Sequence, residues 1–232
     1  MPPFGSGATL YVRPFMVATG EVIGVKPADE YQFRILVTPV GPYYSGGVKP
    51  VAVKVPEYDR AAPHGTGAIK AGLNYAMSLY PSVQAHAEGF ADNMFLDPQT
   101  HTFVEESGGA NFLFVDKEGT LVVPQSATDS ILPSITRRSL VQVAQELLGM
   151  TVVERPVKFE EVASGAFVEC GMCGTAAVIS PVGKVVNGDV EVTFGEGGME
   201  HVGPVMQKLR ETLTGIQAGE IEGPEGWVVK IC

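Results

Sequence analysis

Cysteine is scarce in this chain: among 232 residues only Cys170, Cys173 and Cys232 carry thiols. Two close together and one at the far end cannot make a disulfide framework, so a reducing compartment is expected. Positive charge is short as well. Sixteen Lys and Arg face twenty-six Asp and Glu, a net charge of -10, and binding nucleic acid or an anionic membrane needs clustered cations. Long apolar runs are missing too. None approaches the ~20 residues that span a bilayer, and Met1-Pro2-Pro3-Phe4-Gly5-Ser6-Gly7 has no basic stretch followed by an apolar one. These absences leave a cytoplasmic protein whose partners are small molecules or other proteins, with neither nucleic acid nor membrane among them. The four histidines, His64, His86, His101 and His201, show no ligand spacing. Cys170-Gly171-Met172-Cys173 has C-x-x-C spacing but no second pair. No metal site is expected, and these cysteines read as buried thiols.

Hydrophobic residues make up 45% of the chain and charged residues 18%, enough apolar material for a globular core in one large domain or two small ones. No internal repeat and no linker long enough to split the chain is visible. Strand signals occur at 8–17, where Pro14 suggests an edge or a break, and at 31–40 and 48–55, joined by the turn-rich Gly41-Pro42-Tyr43-Tyr44-Ser45-Gly46-Gly47. Helical spacing runs from Tyr75 to Ala87, with Gly89 as a stop. Short strands are expected at 93–96, 101–106, 110–115 and 120–123, the last two joined by Asp116-Lys117-Glu118-Gly119. A helix over 134–148 ends at Gly149. Strands at 151–154 and 166–169 bracket a helical piece at 159–163, strands follow at 175–180 and 190–194, and a last helix covers 203–214. The mixture is an α/β or α+β domain with a mixed sheet.

Four stretches could carry chemistry. Lys70 is framed by Gly65-Thr66-Gly67-Ala68-Ile69 and Ala71-Gly72, a setting in which the backbone can bring a lysine to a ligand; taken alone, a lysine is more often a solvated surface residue. Desolvation of its ammonium in a cleft would make it a nucleophile. Glu105 and Glu106 point to opposite sides of an extended segment, so they cannot share a pocket, and one of them is expected to be solvated. Ser134 is a good N-cap for the helix that opens Ile135-Thr136-Arg137-Arg138, and first-turn amides there suit a phosphate. The two arginines oppose the helix dipole, so either an anion lies nearby or both are exposed. A Gly-led turn at Gly174-Thr175-Ala176-Ala177 could present further amides to an anion. Arg13, among apolar neighbours, is either a snorkelling surface residue or an anion binder.

In order and spacing these pieces closely resemble the pyridoxal-phosphate-dependent class IV aminotransferases, and within them the branched-chain amino acid aminotransferases. The resemblance is carried by Gly5-Ser6-Gly7, Tyr11-Val12-Arg13-Pro14, Gly24-Val25-Lys26-Pro27, Pro39-Val40-Gly41-Pro42-Tyr43-Tyr44 and Lys70-Ala71-Gly72-Leu73-Asn74-Tyr75. It continues in Glu105-Glu106-Ser107-Gly108-Gly109-Ala110-Asn111, Leu132-Pro133-Ser134-Ile135-Thr136-Arg137-Arg138 and Gly174-Thr175-Ala176-Ala177. It implies the mixed-sheet pseudo-barrel large domain of the fold-type IV enzymes with flanking helices, and pyridoxal 5'-phosphate as cofactor. It implies that Lys70 is the Schiff-base lysine, that Glu106 faces the pyridine nitrogen with Glu105 as its outward neighbour, and that Tyr75 bonds the phenolic oxygen. Ile135, Thr136 and Thr175 would bind phosphate, and Thr175 with Ala176 the substrate carboxylate. Tyr11, Arg13 and Tyr43 would line the substrate side.

The implied reaction moves the amino group between leucine, isoleucine or valine and 2-oxoglutarate, in a homodimer. A D-amino-acid aminotransferase and an aminodeoxychorismate lyase would share Lys70 and Glu106; a remnant without catalysis, acting as a binding or oligomerising module, is the reading from another class. Family members carry a smaller N-terminal domain before the point where this chain begins. Residues 1–232 are therefore expected to be the cofactor-binding large domain, with 1–15 resembling the interdomain region, the small domain absent and turnover impaired or lost.

Overall fold

A computed structural model describes residues 1–3, 5–41, 48–126 and 128–229, which fall into two compact units, 1–47 and 48–232. In the first, the β-branched and aromatic residues of β1 (Thr9–Ala18) and β2 (Tyr31–Val40) pair as an antiparallel ribbon from Thr9↔Val40 to Ala18↔Tyr31. β1 runs through Pro14 without a break. A two-stranded ribbon has only edge strands, where a missing N–H costs no ladder bond. β2 is exposed along its length, Phe33 and Ile35 included.

The second unit is a mixed sheet. β3 (Val51–Lys54) lies parallel to β4 (Asp92–Asn93) and to β9 (Val178–Asn187). β9 pairs antiparallel with β8 (Phe167–Gly174) and with β10 (Val190–Thr193). β8 then pairs with β5 (Asn111–Asp116), β5 with β6 (Leu121–Pro124), and β6 runs parallel to β7 (Val152–Arg155). The described strands form an open path from β4 to β7, with helices packed on the sheet; the mixed sheet with flanking helices is as expected from the sequence, whereas the described strands do not close into the expected pseudo-barrel.

Both faces of the central strands are covered, so β5 is apolar at successive positions rather than alternating. Phe112 and Phe114 enter one core with Val53, Met94, Phe167, Cys170 and Phe194. Leu113 and Val115 enter the other with Cys173, Ile179 and residues of α2 (Ile135–Gln142) and α4 (Pro204–Ala218). Cys170 and Cys173 therefore lie on opposite faces of β8, as an odd separation along a strand requires. Both are free and buried; burial lifts the Cys173 thiol to about 12 and Cys170 well above its ordinary value. They are structural thiols.

Several expected elements are displaced. α1 (Gly72–Ala87) begins a turn earlier than its apolar spacing suggests and carries Pro81 inside it, while Gly89 stops the chain at a left-handed φ of +87°. The helix expected over 134–148 is α2 followed by a π-turn, Val143–Leu147, and α3 (Phe159–Ala163) falls where expected. The strands expected at 93–96 and 101–106 are reduced to β4 and isolated bridges, Leu96↔Val104 among them. Between them the Asp97 carboxylate takes the N–H groups of Thr100, Thr102 and Phe103, and an acid that organises a turn in this way cuts a ladder short. Residues 175–177, expected to open a strand, form the turn between β8 and β9.

Phe114 sits among aromatic rings, its own 4.7 Å from Phe167 and 6.4 Å from Phe194. Phe114→Ala should cost about 3–5 kcal/mol in urea unfolding. A loss below about 1 kcal/mol would show that this face of β5 is not the folding core.

Candidate active site

The segment before α1 is held by an amide rather than by a helix cap. Asn74, buried in the first turn, donates through Nδ2 to Thr66 O at 2.6 Å and Ile69 O at 2.8 Å, and its Oδ1 accepts from Thr66 Oγ1 at 2.9 Å. This ties down the loop on both sides of Ala68. Lys70 follows it, exposed, with Nζ donating to Tyr75 Oη at 2.9 Å. Desolvation is thus not what this chain gives Lys70; a phenol one helical turn along fixes its direction.

The acids are both buried, Glu105 at 2% exposure and Glu106 at 4%. The expectation of one solvated glutamate is overturned. Their carboxylates take different partners, Glu105 being covered by Ser126 and residues 128–130. Ser126, Thr128 and Ser130 all donate hydroxyls to Glu105 Oε1. Glu106 Oε1 accepts from Arg60 Nη2 at 2.6 Å and Leu132 N at 2.8 Å, and Oε2 accepts from Asn111 Nδ2 at 3.2 Å. Burial pushes the Glu106 carboxyl up to about 7, against the opposing pull of Arg60, the Leu132 amide and Lys70, which lies within its field; burial raises Glu105 as well.

Two residues beyond Leu132, Ser134 caps α2 as its sequence suggests, its Oγ accepting from Arg137 N at 3.2 Å. The first-turn amides of Ile135 and Thr136 have no acceptor within the helix. Arg137 is half-buried and paired with Glu154 of β7, while Arg138 is exposed. Glu154 is the anion that relieves one of the two arginines, and no sequence signal linked it to this helix.

Thr175 and Ala176 are exposed in the turn after β8. Asn111 of β5 pairs with Cys173 two residues before it, so this turn and the Glu106 carboxylate share the same end of the β5–β8 pair. Val178 closes the turn at φ +63°, with Ile179 N donating to Ala177 O at 2.8 Å. Such a backbone is costly for a β-branched residue and marks a constrained site.

On β1, Arg13 Nη2 donates to Tyr11 Oη at 2.7 Å and stands over that ring at 5.2 Å. Tyr43 lies outside the described residues, as do most of its turn and Cys232. Two cavities of about 520 and 330 Å³ are lined by none of the expected site residues. Sequence reasoning assigned no role to Arg60 or Asn74, nor to Asn111.

A comparison with protein-family profiles matches residues 4–185 to the family described as Amino-transferase class IV. This chain belongs to the class IV aminotransferases. It is 50% identical over 235 residues to the branched-chain-amino-acid aminotransferase of Haemophilus influenzae, covering 99% of this chain and 66% of that one. The chain therefore spans just under two thirds of the length of that curated relative. Among solved structures it resembles the branched-chain amino acid aminotransferase of Escherichia coli, with TM-score 0.78, 31% identity and coverage of 94% of this chain and 69% of that one. It also resembles the branched-chain amino acid aminotransferase from Thermobaculum terrenum in its PLP-form, with TM-score 0.72, 26% identity and coverage of 91% and 65%.

The Glu106 shift carries a sign. Its carboxyl rises from 4.5 to about 7 on folding, so the folded chain holds that proton more tightly than the unfolded one. The associated stability is complete below about 4.5 and is lost as pH rises through about 7. Glu106→Gln removes this titration. The stability of the wild type relative to the variant should fall by roughly 3 kcal/mol between pH 4.5 and 7.5, at ~1.4 kcal/mol per unit, in urea unfolding. A difference independent of pH would contradict the raised carboxyl.

Proposed function

We propose that this chain is the cofactor-binding part of a branched-chain amino acid aminotransferase, moving the amino group between leucine, isoleucine or valine and 2-oxoglutarate with pyridoxal 5'-phosphate. The observation that carries the proposal is an exposed amine, Lys70, fixed by Tyr75 and lying in the field of a deeply buried carboxylate, Glu106, in a chain of this family.

The donor set fits the cofactor. Glu106 Oε1 is filled by Arg60 and the Leu132 amide, while Oε2 takes only Asn111 Nδ2 among the described residues, so an acceptor is left for the N–H of a protonated ring nitrogen. The capped helix end at Ser134 suits a phosphate dianion, because first-turn amides and the helix dipole both favour an anion there.

Pyridoxal phosphate, when bound, supplies the electron sink and carries the amino group between the two half-reactions. Lys70 Nζ would be the amine that holds it and, once released, the base that shuttles the proton between the substrate α-carbon and the cofactor C4′ carbon. Tyr75 Oη steers that nitrogen. Glu106 keeps the ring nitrogen protonated. The amides of Ile135 and Thr136, with Thr175, hold the phosphate, and Thr175 and Ala176 hold the substrate carboxylate. A homodimer is part of the same reading. It is supported by the apolar residues that α1 leaves exposed, Leu73, Met77, Leu79, Tyr80 and Val83, because contiguous apolar surface marks association. The buried free thiols suit a reducing cytoplasm.

The 232-residue chain mixed with pyridoxal phosphate should develop a visible absorbance band that borohydride removes and fixes to the protein. Lys70→Ala should abolish it. Where turnover is measurable, amino transfer from L-leucine should exceed that from D-alanine by at least ~100-fold, the scale set by a substrate group the site is shaped to receive. An undiminished band in Lys70→Ala would remove the lysine from its role, and a preference for D-alanine would move the chain to another activity of the fold.

A further inference from the structure

Arg60 lies ten residues before Lys70, and it is 4% exposed. A single nitrogen, Nη2, reaches three partners from three parts of the chain: Glu106 Oε1 at 2.6 Å, Gly67 O at 3.2 Å on the lysine loop, and Ser130 O on the segment that covers Glu105. The close approach is built into the backbone. A Cβ on Gly67 would fall 2.3 Å from Ser130 O, so only glycine lets the loop come near enough for one guanidinium to bridge both carbonyls. His64 N donates to Thr128 O at 3.1 Å and docks the same loop on the same segment.

Stability does not account for such a pair. Burying both charges costs several kcal/mol, and apolar residues of similar volume often serve a fold equally well or better. The pair does fix a carboxylate. Glu106 Oε1 is filled by Arg60 and the Leu132 amide, and Oε2 takes only Asn111 Nδ2, at 3.2 Å. Asn111 Nδ2 is itself shared with Leu132 O at 3.2 Å. Oε2 therefore keeps acceptor capacity for one more donor, while Oε1 has little left.

We propose that Arg60 is the positioning residue of this site: it clamps Glu106 to the lysine loop through Oε1, so that Oε2 is presented to the protonated nitrogen of the cofactor ring at a fixed place relative to Lys70. This rests on the proposed function, since it takes Lys70 and Glu106 to act on the same ring. Arg60 itself touches neither cofactor nor substrate. Its consequence is recognition of a single ring atom, separable from general effects on folding or on phosphate binding.

The test compares the affinity of the apo chain for pyridoxal 5'-phosphate with that for its 1-deaza analogue, in which CH replaces the ring nitrogen, by equilibrium dialysis. In the wild type the nitrogen should be favoured by about tenfold or more, the worth of one charge-assisted hydrogen bond. Arg60→Met should reduce the ratio to within about twofold of unity, whereas a merely structural role would weaken both compounds alike and leave the ratio unchanged. A folded Arg60→Met with the wild-type ratio overturns the proposal. Arg60→Lys keeps the charge and with it the fold, but its shorter stem cannot reach all three acceptors, so its ratio should fall by about threefold or more. Should Arg60→Met not fold, a wild-type ratio in Arg60→Lys overturns the proposal in its place. Absence of discrimination in the wild type would remove Glu106 from the ring and defeat the functional reading itself; discrimination that survives in both variants defeats the role of Arg60 alone.

Discussion

The interaction on which the rest of the site depends is the contact between Arg60 and Glu106, two charged groups almost wholly out of water. A carboxylate buried next to a second carboxylate would be driven to its neutral form unless something opposed burial, and here a guanidinium and a backbone amide do so. The outcome is an acid poised near neutrality. Each partner comes from a different stretch of sequence, so this pair also sets where those stretches meet: the lysine loop, the extended segment at 105–106, and the segment that leads through Leu132 into α2.

Neighbouring residues in that extended segment divide the work. Glu105 turns away from Glu106 and is absorbed by three hydroxyls, from Ser126, Thr128 and Ser130. Hydroxyls satisfy a buried carboxylate without bringing a second positive charge close to it, so Arg60 remains committed to Glu106. The segment that supplies them also supplies the Leu132 amide and the carbonyl of Ser130. Its serines and threonines are therefore more than loop filler; they fold a polar strap over an acid that would otherwise compete for the same guanidinium.

Much of the architecture could be read from the chain because it rests on local periodicity. The 31–40 strand, the 159–163 helix, the stops at Gly89 and Gly149 and the cap at Ser134 each follow from a pattern a few residues long. The burial of the two cysteines was expected from the lack of a second pair; their place on opposite faces of β8 was not, because the sequence pattern ended that strand at 169. What escaped was set by partners far along the sequence. Nothing near Glu105 announces that Ser126, Thr128 and Ser130 will close over it, and Arg60, between Asp59 and Ala61, has no neighbour that marks it as buried. Alternation along an extended segment sends neighbouring acids to different sides, but it says nothing of what covers the second of them. The shortened strands around Asp97 went the same way, because a carboxylate that gathers three amides across a turn leaves no periodic trace.

The contrast between Lys70 and Glu106 follows from the roles proposed for them. An amine that exchanges partners with a substrate has to be reachable, and a buried lysine would be protected from the very molecule it serves; Lys70 is exposed, and its direction is set by Tyr75 rather than by enclosure. An acid that only holds a proton on a ring gains from burial, since low polarity strengthens its single remaining interaction and excludes water as a competing donor. Rigid fixation of the acid and accessible tethering of the amine place opposite demands on one short region. The chain meets them by anchoring the loop through Asn74 on one side and Arg60 on the other, leaving Lys70 as the one charged side chain between those anchors that reaches solvent in the field of the acid.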